Sequence, residues 1–116
     1  MTTKYNQNFD HAYPFSDTNI NFSLAASTVL PYTVPGTSSQ LYRAKFSVSA
    51  TADVWVRLNG TAVVPTSNTI VSTTYQERID GDGNFVKQVK GGDTLSFIST
   101  GTPQVGVSFL LAQDTI

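Results

Sequence analysis

The sequence predicts an all-β fold, an antiparallel β-sandwich of the jelly-roll type with an extended N-terminal arm. Apolar and polar residues alternate in short runs between about residues 41 and 112, and Gly, Asn, Asp and Pro separate the runs. No stretch repeats apolar residues at the i, i+3, i+4 and i+7 spacing of a capped amphipathic helix. Eight or nine short strands are typical of a sandwich or small barrel, and an immunoglobulin-like sandwich is the second candidate topology.

Residues 1–20 are predicted to form the arm, and residues 21–116 the sandwich domain. The arm carries Tyr5, Phe9, Tyr13 and Phe15 among polar residues, without a regular period. Large rings are costly to leave in water, so we expect the arm to place them in pockets of a neighbouring molecule. The alternatives are a frayed terminus or an arm packed on its own domain.

The strands are predicted from the alternating runs and from the residues that end them. Pro31 ends the first run, and Pro35-Gly36 closes the second. Asn59-Gly60 predicts a two-residue type I′ hairpin turn, because both residues tolerate a positive φ. The predicted strands are 21–30, 32–34, 41–49, 53–58, 61–64, 70–79 (bent or broken), 84–89, 94–99 and 105–112.

Between residues 53 and 58 the pattern predicts an exposed tryptophan. If Val54, Val56 and Leu58 face the core, Trp55 and Arg57 share the opposite face. Exposed Trp and Arg are the residues that dominate protein interfaces, so both are candidate interface residues. Two other interpretations are a Trp55 inside the core or beneath the N-terminal segment, and a Trp55 that stacks on sugars.

The last run, residues 105–112, is apolar on both faces. Val107, Phe109 and Leu111 form one face, and Leu110 makes the other face apolar as well. Such a strand is either central in a sandwich or pressed against a partner. Leu110 is therefore also a candidate interface residue.

Composition narrows the possible function classes. A chain of 116 residues is one domain, and its net charge of −1 argues against nucleic acid as a partner. The absence of cysteine excludes disulfides and Cys nucleophiles. No signal-peptide pattern and no run of about 18 apolar residues is present, which favours a soluble protein made in a cytoplasm without membrane contact.

The sequence offers no convincing catalytic or metal-binding set. His11 is the single histidine, and Asp80–Asn84 lacks the Gly and Glu that a calcium loop needs further along. Glu77 beside Arg78 is most simply interpreted as a surface charge pair. We therefore expect no enzyme activity, no cofactor and no metal.

Several stretches follow one another in a characteristic order, namely residues 52–56, the loop with Pro65, the bent strand after it, residues 85–87, residues 92–98 and the valine-rich last strand. This order, over about residues 40–112, resembles small β-sandwich proteins of tailed-bacteriophage virions. Those proteins are capsid decoration or cement proteins and related head-fibre or adaptor modules.

The resemblance implies a mechanical function. A cement protein bridges neighbouring capsomers on the capsid surface and so helps the shell resist the pressure of packaged DNA. The implied partner is the major capsid protein, and the implied assembly is a homo-oligomer, a trimer above all. A head-fibre or tail component and a carbohydrate-binding β-sandwich module remain as alternatives.

Overall fold

The computed structural model describes residues 15–49, 51–79 and 85–113. Within these ranges the chain forms eight β-strands. In chain order they are β1 (Thr18–Ser23), β2 (Leu30–Thr33), β3 (Leu41–Val48), β4 (Val54–Leu58), β5 (Gln76–Arg78), β6 (Phe85–Lys90), β7 (Thr94–Ser99) and β8 (Gln104–Gln113).

The strands form two four-stranded antiparallel sheets packed as a sandwich. Sheet A has the order β1-β8-β3-β6 and sheet B the order β2-β7-β4-β5. First and last strands pair, as do second and seventh, third and sixth, and fourth and fifth. A long hairpin of four strand pairs rolled into two sheets gives this order, which is that of a jelly roll. The predicted fold class is confirmed.

The core lies between the sheets and follows from the alternating pattern. On β3, Tyr42, Ala44 and Phe46 are buried while the residues between them are exposed. Aromatic rings join the two sheets, since Phe46 and Phe97 lie 6.3 Å apart between ring centroids, and Phe22 meets Phe97 edge-on at 5.0 Å. Offset and edge-on ring pairs are the favoured geometries in such a core.

The start of the sandwich differs from the prediction. The predicted first strand, 21–30, is two strands in different sheets, joined by a turn in which Ser27 has φ +55°. Residues 18–20, predicted as arm, belong to β1. Pro31 lies inside β2 rather than ending a strand, and this position tolerates proline because β2 is an edge strand.

The stretch between β4 and β5 also differs from the prediction. Residues 61–64 form no strand, and of the predicted strand 70–79 only Gln76–Arg78 is β-structure. The hairpin prediction at Asn59-Gly60 is therefore wrong, although Asn59 does have a positive φ of 53°. The chain after Gly60 does not pair beside β4 but passes over sheet B, as described below.

Asn59 connects β4 to the start of β7 instead. Its N–H donates to the Thr94 carbonyl at 2.7 Å, and its side-chain oxygen accepts the Thr94 N–H at 2.9 Å. Its amide nitrogen donates to the buried carboxylate of Asp93 at 3.2 Å. Asp93 also accepts the Lys90 N–H at 3.0 Å, so the turn between β6 and β7 is held by this carboxylate.

Candidate functional site

Trp55 lies on the outer face of sheet B, as the sequence predicted. Its strand neighbours Val54 and Val56 are buried in the core, whereas Trp55 is half-buried. Across the sheet Trp55 stands between Ile98 on β7 and Arg78 on β5. The alternative that places Trp55 inside the core is excluded.

Arg57 shares this face but is engaged within its own domain. Its Nε donates to the Thr74 carbonyl at 3.1 Å and its Nη1 to the Thr61 carbonyl at 3.0 Å. These two carbonyls belong to the two ends of the long connection between β4 and β5. Arg57 thus ties that connection to sheet B, a role that the interface prediction did not include.

Other hydrogen bonds hold the same connection, residues 59–75, over sheet B. The Ser96 hydroxyl donates to the Gly60 carbonyl at 2.6 Å and accepts the N–H of Ala62 at 2.8 Å. The Gln76 side chain bonds both the N–H and the carbonyl of Val63, at 2.9 and 2.8 Å. Ala62 is buried, so the start of the connection covers part of the outer face of sheet B.

The middle and the end of the connection expose apolar side chains. Ile70 is 94% exposed, Tyr75 is 73% exposed and Val63 is 41% exposed. Val63 and Ile70 belong to the connection that is held over sheet B, and with the half-buried Trp55 they give this side an apolar character. Tyr75 instead lies opposite Leu58 at the edge of the sheet, on the side of the core. We call Trp55, Val63 and Ile70 the sheet B patch.

The outer face of sheet A is polar in its central rows, and Val86 at its edge is an exposed apolar side chain on it. On neighbouring strands of this sheet, Ser108 lies opposite Asn19 on one side and Lys45 on the other. Leu110 lies opposite Arg43. Leu110 is half-buried, and its strand β8 lies between β1 and β3. β8 is therefore a central strand, which is one of the two explanations predicted for its apolar residues on both faces.

A shallow trough of about 660 Å³ lies at one end of sheet A. Gly106 forms its floor, because the Asn21 amide oxygen and the Ser47 hydroxyl stand on either side, each 3.1 Å from where a Cβ would be. Ser49 and Gln104 continue the lining with a hydroxyl and an amide. These uncharged donors and acceptors suit a polar, uncharged ligand.

The charged residues do not pair as their order in the chain suggested. Glu77 binds Lys87 at 2.7 Å rather than its neighbour Arg78, and Arg78 lies 3.5 Å from Asp53. Successive strand residues point to opposite faces, which separates Glu77 from Arg78. The Glu77–Lys87 pair joins the edge strands of the two sheets, since Glu77 is on β5 and Lys87 on β6.

The predicted arm residues are only partly described. Phe15 is 98% exposed, while Tyr5, Phe9 and Tyr13 lie outside the described residues. His11 and residues 80–84 lie outside them as well. Within the described ranges no group of three or more His, Cys, Asp or Glu side chains is arranged to hold a metal ion, and no helix is long and apolar enough to cross a membrane.

No protein-family model matches the chain, and no curated protein and no solved structure matches it. The described geometry therefore carries the functional argument. It has two features that the sequence alone did not indicate, the connection that covers sheet B and an opening into the core between β5 and β6. Both depend on residues far apart in the chain, and the positive φ of Tyr75 gave no signal in the sequence.

Proposed function

We propose that this protein is a non-enzymatic structural component of a tailed-phage virion, a capsid decoration or cement subunit. It is made in the host cytoplasm, assembles as a homotrimer and binds the major capsid protein on the capsid surface. The resemblance of residues 40–112 to such proteins motivates the proposal. The structural observation that supports it best is the difference between the two outer faces of the sandwich.

The sheet B patch is the proposed contact with the capsid. Ile70 is almost fully exposed and Val63 is partly exposed, and Trp55 adds the only indole of the chain. Solvent-exposed apolar side chains gain about 25 cal/mol for each Å² that an interface covers. The polar outer face of sheet A, with Arg43 and Lys45, suits the side that stays in water.

A cement protein acts through many small contacts repeated over a lattice. Each subunit bridges neighbouring capsomers, and linked sites bind more tightly than separate ones. The near-neutral net charge of −1 leaves little repulsion between closely spaced copies. An apolar patch of a few residues is sufficient for this function, because the shell presents the same site many times.

The proposal is tested by adding the purified protein to phage heads that lack it. Ile70→Ala and Trp55→Ala are each expected to raise the Kd for phage heads by about tenfold, which is typical of a central interface side chain. The occupancy of the heads at a fixed protein concentration is expected to fall accordingly. Ile70 is 94% exposed, so Ile70→Ala is expected to leave the melting temperature unchanged. Val86→Ala is the control, because Val86 is 43% exposed on the outer face of sheet A.

Three results would contradict the proposal: failure of the wild-type protein to bind heads, equal losses for Ile70→Ala and Val86→Ala, or a Trp55→Ala variant that loses stability but not binding. Binding to fibres or tails rather than heads would favour the first alternative, a head-fibre or tail component.

The carbohydrate-binding alternative is favoured by one observation, the trough on sheet A. Its volume of about 660 Å³ lies within the range typical of ligand sites, and its lining of amides and hydroxyls suits sugar hydroxyls. A glycan array would show binding that is lost in Asn21→Ala and retained in Trp55→Ala. The reverse pattern would point to stacking on Trp55 instead.

A further inference from the structure

The sandwich is open to its core on one side, between β5 at the edge of sheet B and β6 at the edge of sheet A. We call this opening the mouth. Its volume is about 180 Å³. Most of its lining is apolar, and the lining residues are Phe46, Val56, Leu58, Tyr75, Phe85 and Leu95, with Glu77 and Lys87 among the others.

The mouth lies between two edge strands of different length. β6 has six residues, whereas β5 has three. Tyr75, just before β5, has a φ of +60°, a conformation that bulky residues rarely adopt. Tyr75 still accepts the Leu58 N–H at 3.0 Å, so the chain joins the edge of sheet B at this residue. Phe85 at the opening is only half-buried, whereas Phe46 deeper inside is buried and packs on Phe97 of sheet B.

The polar groups of the mouth lie at its rim. The carboxylate of Glu77 and the ammonium of Lys87 meet at 2.7 Å, and both side chains are about half exposed. The Lys87 ammonium also lies 5.1 Å from the centroid of the Phe85 ring. An exposed pair of this kind is held weakly, so it can move aside for an entering side chain.

The volume of the mouth matches one aromatic ring. An enclosed apolar protein cavity of about 150 Å³ is known to bind benzene, and the mouth has a similar volume, a mostly apolar lining and charged groups only at its open side. The group that fills the mouth is therefore expected to be a ring-bearing side chain rather than a long apolar chain or a group of water molecules.

The sequence of the chain carries four such rings close to its N-terminus, at positions 5, 9, 13 and 15. All four positions are odd, so an extended segment would present the rings on one face. Phe15 is 98% exposed, which means that the chain enters β1 without packing Phe15 on its own domain.

We propose that the mouth receives one aromatic side chain from the N-terminal segment of a second copy of this chain. The inference rests on the self-association included in the proposed function, but not on binding to capsids. The contact is heterologous, because the segment of one copy meets the mouth of the next. Contacts of this type close into rings when the rotation allows, and a ring of three copies leaves no mouth empty.

The test is a mixing experiment with full-length chains. In a ring-less variant, Tyr5, Phe9, Tyr13 and Phe15 are replaced by Ser, which leaves the mouth intact. In a blocked variant, Leu58→Trp fills the mouth and leaves the arm intact. Val86→Trp is the control, because it adds the same indole to β6 on the outer face. Mass is measured by size-exclusion chromatography with light scattering.

The wild-type protein and Val86→Trp are expected at the mass of three 12.5 kDa chains, and each of the two variants alone at one chain. An equimolar mixture of the two variants is expected to form a 1:1 dimer, because only one arm and one mouth remain. A wild-type monomer, or either variant at wild-type mass, would overturn the inference.

A crosslinking experiment covers the case in which Leu58→Trp does not fold. A benzophenone amino acid is placed at position 13 of the otherwise wild-type chain. Equal amounts of this chain and of an isotope-labelled chain are mixed and irradiated. Crosslinks from position 13 to residues 85–90 of the other chain are expected. Crosslinks only within one chain, or to other strands only, would overturn the inference. If the chains associate as described but do not bind phage heads, the capsid proposal is refuted and the present inference stands.

Discussion

Asn59 joins two strands of sheet B through both its backbone and its side chain. Its φ of +53° turns the chain out of β4, and its amide bonds Thr94 and Asp93 at the start of β7. Asparagine suits both tasks, because it tolerates the left-handed region and carries a donor and an acceptor. The residue therefore determines where the long connection over sheet B begins.

Replacing Asn59 separates these two contributions. Asn59→Gly keeps the backbone freedom and loses two side-chain hydrogen bonds, so the free energy of unfolding is expected to fall by about 1–3 kcal/mol. Asn59→Ala is expected to lose about 1 kcal/mol more, because alanine is strained at positive φ. Urea unfolding of the three proteins measures the difference. Equal stability of Gly and Ala variants would show that the backbone relaxes at this position.

Because of Tyr32, the free energy of unfolding of the sandwich is expected to change with pH in the alkaline range. Its ring stacks on Phe109 at 5.8 Å, and burial raises the pKa of its hydroxyl above the ordinary value of 10.0. The unfolded chain therefore loses this proton first as pH rises, which favours unfolding above about pH 10. Between about pH 9 and pH 11 wild-type stability is expected to fall more steeply than that of Tyr32→Phe. Parallel profiles would contradict this.

At the scale of elements, the connection 59–75 contains the main departure from the strand pattern. Residues 61–64 have strand-like composition, but Ala62 is buried over β7 and its N–H bonds the Ser96 hydroxyl rather than a neighbouring strand. Burial and hydrogen bonding outweigh local β-propensity here, which is common because propensity depends on context. Nothing in the local pattern indicated that Ser96, 34 residues away, would be the partner.

Arg57 is the side chain that ties this connection at both ends. Arg57→Ala is expected to lower the free energy of unfolding by about 1–3 kcal/mol, because two carbonyls lose a charged donor. Arg57→Lys is expected to restore little, since a single ammonium lacks the planar fork that reaches both Thr61 and Thr74. Amide hydrogen exchange should speed up in residues 59–75 and stay unchanged in β3. Uniform exchange in both regions would contradict the tether role.

At the scale of the whole molecule, the sandwich and its N-terminal segment meet close to Asp17. The Asp17 N–H donates to the Phe109 carbonyl at 2.9 Å, and its carboxylate accepts the Leu111 N–H at 2.6 Å. Phe15, two residues earlier, is almost fully exposed. Within the described residues, the contacts of the sandwich therefore include Asp17 and Thr18, which the prediction assigned to the arm.

Two truncations test this boundary. Removal of residues 1–14 is expected to leave the melting temperature within a few degrees of the wild-type value, because no described contact of the body is lost. Removal of residues 1–20 is expected to lower it clearly, because half of β1 and the bonds of Asp17 are lost. Thermal unfolding by circular dichroism gives both values. Equal melting temperatures would place the boundary after β1.

The candidate site was predictable only where it lies on a regular strand. The outward position of Trp55 followed from the alternation of residues 53–58, and the structure confirms it. The engagement of Arg57 and the exposure of Ile70 depend on how a long connection returns to the sheet. No period in the sequence reports such a return, because the partners are joined by side-chain bonds between distant segments.

The amino-acid order alone determined the all-β character and most strand positions, such as β7 at residues 94–99. The reason is that alternating apolar residues all lie on one face only when the segment is a β-strand. The tertiary structure decided which strands pair, that residues 59–75 cover sheet B, and that the side between β5 and β6 stays open. These outcomes depend on long-range register and on side-chain hydrogen bonds between distant segments, which are properties of the assembled sheets.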